Sequence, residues 1–143
     1  MMKSLKVRGL YFSAGHRIIG HPQCYRPHGH TYFVDVTYIP WDDKLDDMGM
    51  IIDFGDLKGG IKKYLKDNWD HMTIIQYTGT EVEAWTELFN KLEIPLEFLK
   101  PIRYTTAEYM QELIAKDLEN LFLNAKEIIV ELFEGPMQGI GEV

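Results

Sequence analysis

Residues 5–12, Leu5-Lys6-Val7-Arg8-Gly9-Leu10-Tyr11-Phe12, mix apolar and polar positions at short range and read as a strand. Gly15, Gly20, Pro22 and Pro27 then break the pattern into a loop. His30 to Ile39 is the clearest strand, rich in β-branched and aromatic types. Its even positions carry Tyr32, Val34, Val36 and Tyr38, and Thr31, Asp35 and Thr37 fall on odd ones beside Phe33 and Ile39. Pro40, Asp42 and Asp43 end it, and Met50-Ile51-Ile52 reads as a further short strand stopped by Asp53.

From there the period lengthens. Leu57, Ile61, Tyr64 and Leu65 recur at helical spacing, with Asp53 and Asp56 placed to open the helix and Asn68 near its end. Thr80-Glu81-Val82-Glu83 has the form of a capping box ahead of Val82, Trp85, Leu88, Phe89 and Leu92, which predicts a helix near 81–92. Pro95 and Pro101 frame a connector. Thr105-Thr106-Ala107-Glu108 is a second box ahead of Met110, Leu113, Ile114, Leu118 and Leu121. Glu127 to Glu134 closes the series as a strand with Ile128, Val130, Leu132 and Glu134 on one face. An early hairpin, with strands and helices joined by long connections, fits an α+β fold better than a doubly wound sheet.

Composition narrows the function classes. A chain of 143 residues is expected to form a single domain over 1–143, large enough to fold without a metal or a disulfide. The net charge of −7 argues against a general nucleic-acid binder. The sequence has no apolar run long enough for a membrane helix, and Met1-Met2-Lys3-Ser4-Leu5 lacks the apolar core of a signal peptide, so a cytoplasmic protein is expected. One cysteine, Cys24, excludes an intramolecular disulfide and fits a reducing compartment.

Four of the five histidines, His16, His21, His28 and His30, fall within fifteen residues that also hold Cys24. His28-Gly29-His30 puts two imidazoles on one face of an extended segment, and a neighbouring strand ending at His16 could supply a third. Three imidazoles with an open position suit catalytic zinc, and a fourth protein ligand would close the site. The plainer alternative is a polar loop whose histidines satisfy ordinary hydrogen bonds. Cys24 can be that fourth ligand, a thiolate activated beside the cation, or an inert buried residue, and spacing does not choose.

Two other features carry chemistry. Asp70-His71 has the makings of a carboxylate-supported base, although adjacent side chains diverge unless a turn brings them together. Glu134 continues an apolar face, where a carboxylate needs a donor partner or an exposed strand end. A heterocycle with two adjacent N–H groups would be one such partner.

Taken in order, these pieces resemble the 6-pyruvoyl tetrahydropterin synthase family. The resemblance rests on Phe12-Ser13-Ala14-Gly15-His16, on Cys24-x-x-x-His28-Gly29-His30-x-Tyr32, and on Gly49-Met50-Ile51-Ile52-Asp53-Phe54-x-x-Leu57-Lys58. It continues through Asp70-His71, Thr105-Thr106-Ala107-Glu108 and Phe133-Glu134, from residue 12 to 134. It implies the tunnelling fold, a four-stranded antiparallel sheet with two helices on one face, assembled as a trimer or a dimer of trimers. The 72–104 segment is longer than usual in that family and carries the extra helix.

The resemblance also implies roles. His16, His28 and His30 would hold zinc, Cys24 would be the proton-abstracting thiolate, and Asp70 with His71 the relay. Glu134 would grip the pterin, with Thr105, Thr106 and Glu108 nearby. The substrate would be 7,8-dihydroneopterin triphosphate. The three-residue spacer between Cys24 and His28 is similar to the branch that makes 6-carboxy-5,6,7,8-tetrahydropterin and acetaldehyde, the pyruvoyl branch being the alternative. A non-catalytic zinc or pterin-binding protein on the same fold is the rival of another class. Arg17 and Arg26 flank the histidine motif as candidate cations for the triphosphate.

Overall fold

A computed structural model of the chain describes residues 2–142. Its strands are β1 (Leu5–His16), β2 (His28–Pro40), β3 (Met72–Gln76), β4 (Leu99–Ile102), β5 (Ala125–Phe133) and β6 (Gly139–Ile140). Its α-helices are α1 (Phe54–Asn68), α2 (Glu81–Lys91) and α3 (Ala107–Leu121). The strands form one sheet in the order β4-β3-β1-β2-β5-β6. The pairs β1–β2, β2–β5 and β5–β6 are antiparallel, whereas β1–β3 and β3–β4 are parallel.

One face of β1, β2 and β5 is buried under α1 and α3. Leu57, Ile61 and Leu65 of α1 and Met110, Ile114 and Leu118 of α3 recur at helical spacing and meet Phe12, Val34, Val36 and Val130 in the core. Trp69 locks the end of α1. Its ring is fully buried, its Nε1–H donates to the Tyr64 hydroxyl at 2.8 Å, and that hydroxyl donates to Asp117 of α3. The Lys100 ammonium from β4 lies 4.1 Å from the Trp69 ring centroid.

A single extra residue in β1 sets the phase of the sheet. Leu5 and Val7 reach the core on odd positions, but Leu10, Phe12, Ala14 and His16 do so on even ones. The register shows why: Val7 pairs with Val36 and Leu10 with Val34, three steps against two. Gly9 makes this bulge with φ of 73°, and its N–H is held by Asp35 Oδ1 at 2.8 Å. Because side chains alternate with period two, removing that residue would turn His16 to the opposite face.

The sheet is six-stranded, not four-stranded as the resemblance implied. β3 and β4 come from the long 72–104 segment and extend the sheet beyond β1, with α2 as the crossover between them. The expected connector between Pro95 and Pro101 is therefore a short 3-10 turn, Leu96–Phe98, followed by β4. Pro101 fits there because β4 is an edge strand with one side unpaired.

Met50-Ile51-Ile52 is not a strand. Asp46 Oδ1 accepts from the N–H groups of Met48 and Met50, each at 2.9 Å, and this side-chain turn takes the Met50 donor from any ladder. The helix start at Asp53 is as expected, its carboxylate accepting from Gly55 and Asp56 N–H. α2 forms, but Thr80 makes no side-chain cap, because its backbone is already helical (φ −90°, ψ −1°). α3 is capped by Thr106, which accepts from Tyr109 N–H, one residue later than the expected box. The last strand runs 125–133, leaving Glu134 just beyond it.

A β-branched residue at Gly9 must adopt a left-handed backbone or abolish the bulge. Gly9→Val is expected to lower unfolding free energy by about 2 kcal/mol or more, read from urea denaturation. It should also reduce bound metal per chain, because the phase of His16 depends on that bulge.

Candidate metal centre and neighbouring polar groups

His16 ends β1 directly opposite His28, and Ala14 pairs with His30. The bulge phase therefore sets all three imidazoles on one face. Ring centroids are 4.6 Å apart for His16–His28, 4.9 Å for His28–His30 and 5.1 Å for His16–His30. One ligating atom from each lies within 4.8 Å of the others.

Two of the rings are held by backbone carbonyls. His16 Nδ1 lies 2.7 Å from the Thr105 carbonyl, and His28 Nδ1 lies 2.7 Å from that of Arg26. A carbonyl only accepts, so it fixes the proton on Nδ1 and leaves the Nε2 lone pair free. His16 is 4% exposed, and its Nε2 is buried without a protein partner. Burial, reinforced by the neighbouring His28 and His30, lowers the His16 pKa to about 4 despite the opposing Thr105 hydrogen bond, so the ring is neutral near pH 7. A neutral, pre-oriented imidazole with an orphaned buried nitrogen is what a divalent metal requires of a ligand.

Cys24 does not join this group of ligating atoms. It lies half-buried in the loop between β1 and β2, where the Ile18 N–H donates to its carbonyl at 2.6 Å and its own N–H donates to His21 Nδ1 at 2.9 Å. His21 thus braces the loop, as a loop residue should. Arg17, weighed above as a phosphate cation, is already neutralised: Glu81 at the start of α2 takes it at 2.7 Å. Trp85 Nε1–H donates to the same carboxylate, and the Arg17 carbonyl accepts from the Thr105 hydroxyl at 2.6 Å. The added helix α2 therefore clamps the residue that follows His16. Nothing in the pattern around Glu81 distinguished it from an ordinary first-turn acid.

Asp70 and His71 do converge. His71 adopts φ of 61°, and that turn brings its Nδ1 within 2.9 Å of Asp70 Oδ2. Asp70 Oδ1 accepts the Ser13 N–H at 2.9 Å, and the His71 N–H donates to the Ser13 carbonyl at 2.6 Å, so the pair is pinned to β1. Partial burial raises the Asp70 pKa, but hydrogen bonds from Ser13 and His71 outweigh it and hold the carboxyl below its ordinary value. The His71 ring is exposed and shares a shallow depression of about 470 Å³ with Ser13, His30 and Thr31. Among the described residues, no hydrogen bond joins this pair to the three-histidine group.

Glu134 follows β5 and is half-buried, its N–H donating to the Gln138 carbonyl at 2.8 Å. The register that pairs Phe33 with Phe133 carries Glu134 to the position opposite Tyr32. Tyr32 is fully buried, with its ring 5.3 Å from His30 and its hydroxyl unpartnered. Burial first, and the Glu134 charge second, push its pKa far above the usual phenol value. Tyr32 was legible as an even position of β2 and as the end of the His30-x-Tyr32 motif, and its place two residues after His30 on the same face was the signal that it borders the site. Thr105 is buried behind His16, Thr106 caps α3, and Glu108 is exposed in the first turn of that helix.

The unfolded chain binds a proton on residue 16 near the ordinary value of 6.5, whereas folded His16 does so only near 4. Metal-free protein is therefore expected to be fully stabilised by this group above pH 6.5 and to lose on the order of 3 kcal/mol as pH falls to 4. Urea midpoints against pH test this, and His16→Phe should flatten the slope. Glu81→Ala leaves the Arg17 guanidinium partly buried and unpaired. It should cost about 2 kcal/mol and speed proteolysis of the 17–27 loop.

Comparison with known proteins agrees with this geometry. A family model described as 6-pyruvoyl tetrahydropterin synthase matches residues 5–140. A Rickettsia typhi protein named 6-carboxy-5,6,7,8-tetrahydropterin synthase is 42% identical over 88 residues, 61% of this chain and 62% of the relative. The match thus spans less than two-thirds of that relative's length. A Methanocaldococcus jannaschii protein, provisionally given the same name, is 36% identical over 146 residues, covering 92% of this chain and 88% of its own. The solved 6-pyruvoyl tetrahydropterin synthase of Plasmodium falciparum superposes with a TM-score of 0.73 at 19% identity, covering 99% of this chain and 96% of that one. With a family match running through every strand that frames the histidines, the chain belongs to the 6-pyruvoyl tetrahydropterin synthase family.

Proposed function

We propose that this chain is a zinc-dependent lyase that converts 7,8-dihydroneopterin triphosphate and one water to 6-carboxy-5,6,7,8-tetrahydropterin, acetaldehyde and triphosphate. The observation that carries the reading is the set of three convergent imidazoles, two of them tautomerically fixed, with one buried Nε2 lacking any other partner. The names of the curated relatives support the carboxy branch. The three-residue spacer Tyr25-Arg26-Pro27 between Cys24 and His28 points the same way.

His16, His28 and His30 would hold the zinc. Bound there, zinc supplies a Lewis acid that lowers the pKa of the substrate's side-chain hydroxyls. Cys24, outside the ligand group and half-buried, is the thiolate that takes a proton from the side chain. Asp70 fixes the His71 tautomer through Nδ1 and leaves Nε2 of an exposed ring free to pass a second proton. Glu134 accepts from the pterin's N3–H and 2-amino groups, which orients the ring without bond-making. Thr105, Thr106 and Glu108 border the pterin. The family resemblance supports assembly as a trimer or a dimer of trimers.

Cys24→Ala separates catalysis from ligation. The variant is expected to keep one zinc per chain by elemental analysis and to lose at least about a thousandfold in turnover. Loss of zinc with weakened folding would instead show Cys24 to be a ligand. Product analysis by mass spectrometry on the wild type sets the branch: acetaldehyde supports the carboxy reaction, and pyruvoyltetrahydropterin without acetaldehyde assigns the other.

A further inference from the structure

A groove lies away from the histidines, between the outer edge of β1 and α1. It encloses about 800 Å³ and is lined by Arg8, Lys58, Lys62, Lys63 and Lys66, with Asp67 and Asp70 as its acids. Five cations against two carboxylates is a local excess in a chain whose net charge is −7. Lys63 is already paired with Asp67, and Asp70 with His71, whereas Arg8, Lys58, Lys62 and Lys66 form no ion pair among the described residues.

Their spacing selects the ligand. Lys58, Lys62 and Lys66 are successive i,i+4 positions, a stripe about 12 Å long on one side of α1. Arg8 faces them from the bulge in β1, next to Gly9. A single phosphate cannot span that row, but a linear chain of linked phosphates can engage several of these cations at once. The groove also has a direction. Ile52, Asp53 and Phe54 at the start of α1 lie beside Leu5, and Asp70 at its end is bound to Ser13, so α1 runs alongside β1 toward its histidine end. Asp70 lines the groove and fixes His71, so one carboxylate joins the cationic row to the proposed proton relay.

We propose that this groove is a polyphosphate subsite in which Arg8, Lys58, Lys62 and Lys66 hold the triphosphate tail, and later the released triphosphate. The assignment of that tail to a substrate rests on the function proposed above. Binding of the anion itself does not. Arg17, held by Glu81, is left with a structural part.

Calorimetric titration of the full-length, zinc-loaded protein with inorganic tripolyphosphate at low ionic strength tests the subsite. Wild type is expected to bind it more tightly than orthophosphate, and binding should weaken as salt is added. The double variant Lys62→Ala/Lys66→Ala should bind roughly tenfold more weakly or worse, and Lys116→Ala on α3 should match wild type. Thermal melting shows that the variants fold. Dephosphorylated dihydroneopterin should bind the double variant as it binds wild type. Absent tripolyphosphate binding, equal binding by the double variant, or equal loss of both ligands would overturn the subsite. A protein that binds tripolyphosphate through these lysines yet turns over no pterin would contradict the proposed reaction and leave the subsite standing.

Discussion

The site depends on His16 facing His28 across the first hairpin, and that register depends on one surplus residue. β1 enters the core on odd positions and leaves it on even ones because of the bulge at Gly9. A regular strand with the same side chains would bury a different set and send His16 away from its partners. Asp35 holds the bulge through the Gly9 N–H, and Thr105 then fixes the ring that the bulge has delivered. Backbone geometry in one strand and a carbonyl from a segment 89 residues away thus converge on one imidazole.

Electrostatics then divides the molecule into separate environments. At the histidine end, burial holds the His16 pKa well below the ordinary imidazole value and keeps that ring neutral near pH 7. Asp70 is an anion secured by backbone and imidazole donors, whereas Glu134 faces a buried phenol. The unpaired cations lie in a groove that Asp70 also lines. An acidic protein can accept a polyanionic substrate under these conditions, because over a few ångströms local placement of charge outweighs the net sum.

Much of this was legible in the residues. Alternation gave β2, helical spacing gave α1 and α3, and His28-x-His30 with a third histidine at the end of a strand gave the metal group. The failures have physical causes. Met50-Ile51-Ile52 has strand composition, but Asp46 captured the backbone donor of Met50 at its start. β3 and β4 are short and parallel, so their pairing is set by tertiary contact and not by any local period. Arg17 looked like a phosphate cation until α2 brought Glu81 across 64 residues to neutralise it. Asp70 and His71 converge through the turn that their adjacency demanded, a left-handed backbone at His71.

Under the proposed function, three imidazoles would form an open centre and Cys24 would stay out of the metal's coordination. X-ray absorption at the zinc edge of the loaded wild-type protein reads this directly. The expected spectrum shows nitrogen or oxygen scatterers at about 2.0–2.1 Å, an imidazole outer shell, and no sulfur. A sulfur scatterer at about 2.3 Å, absent in Cys24→Ala, would contradict it.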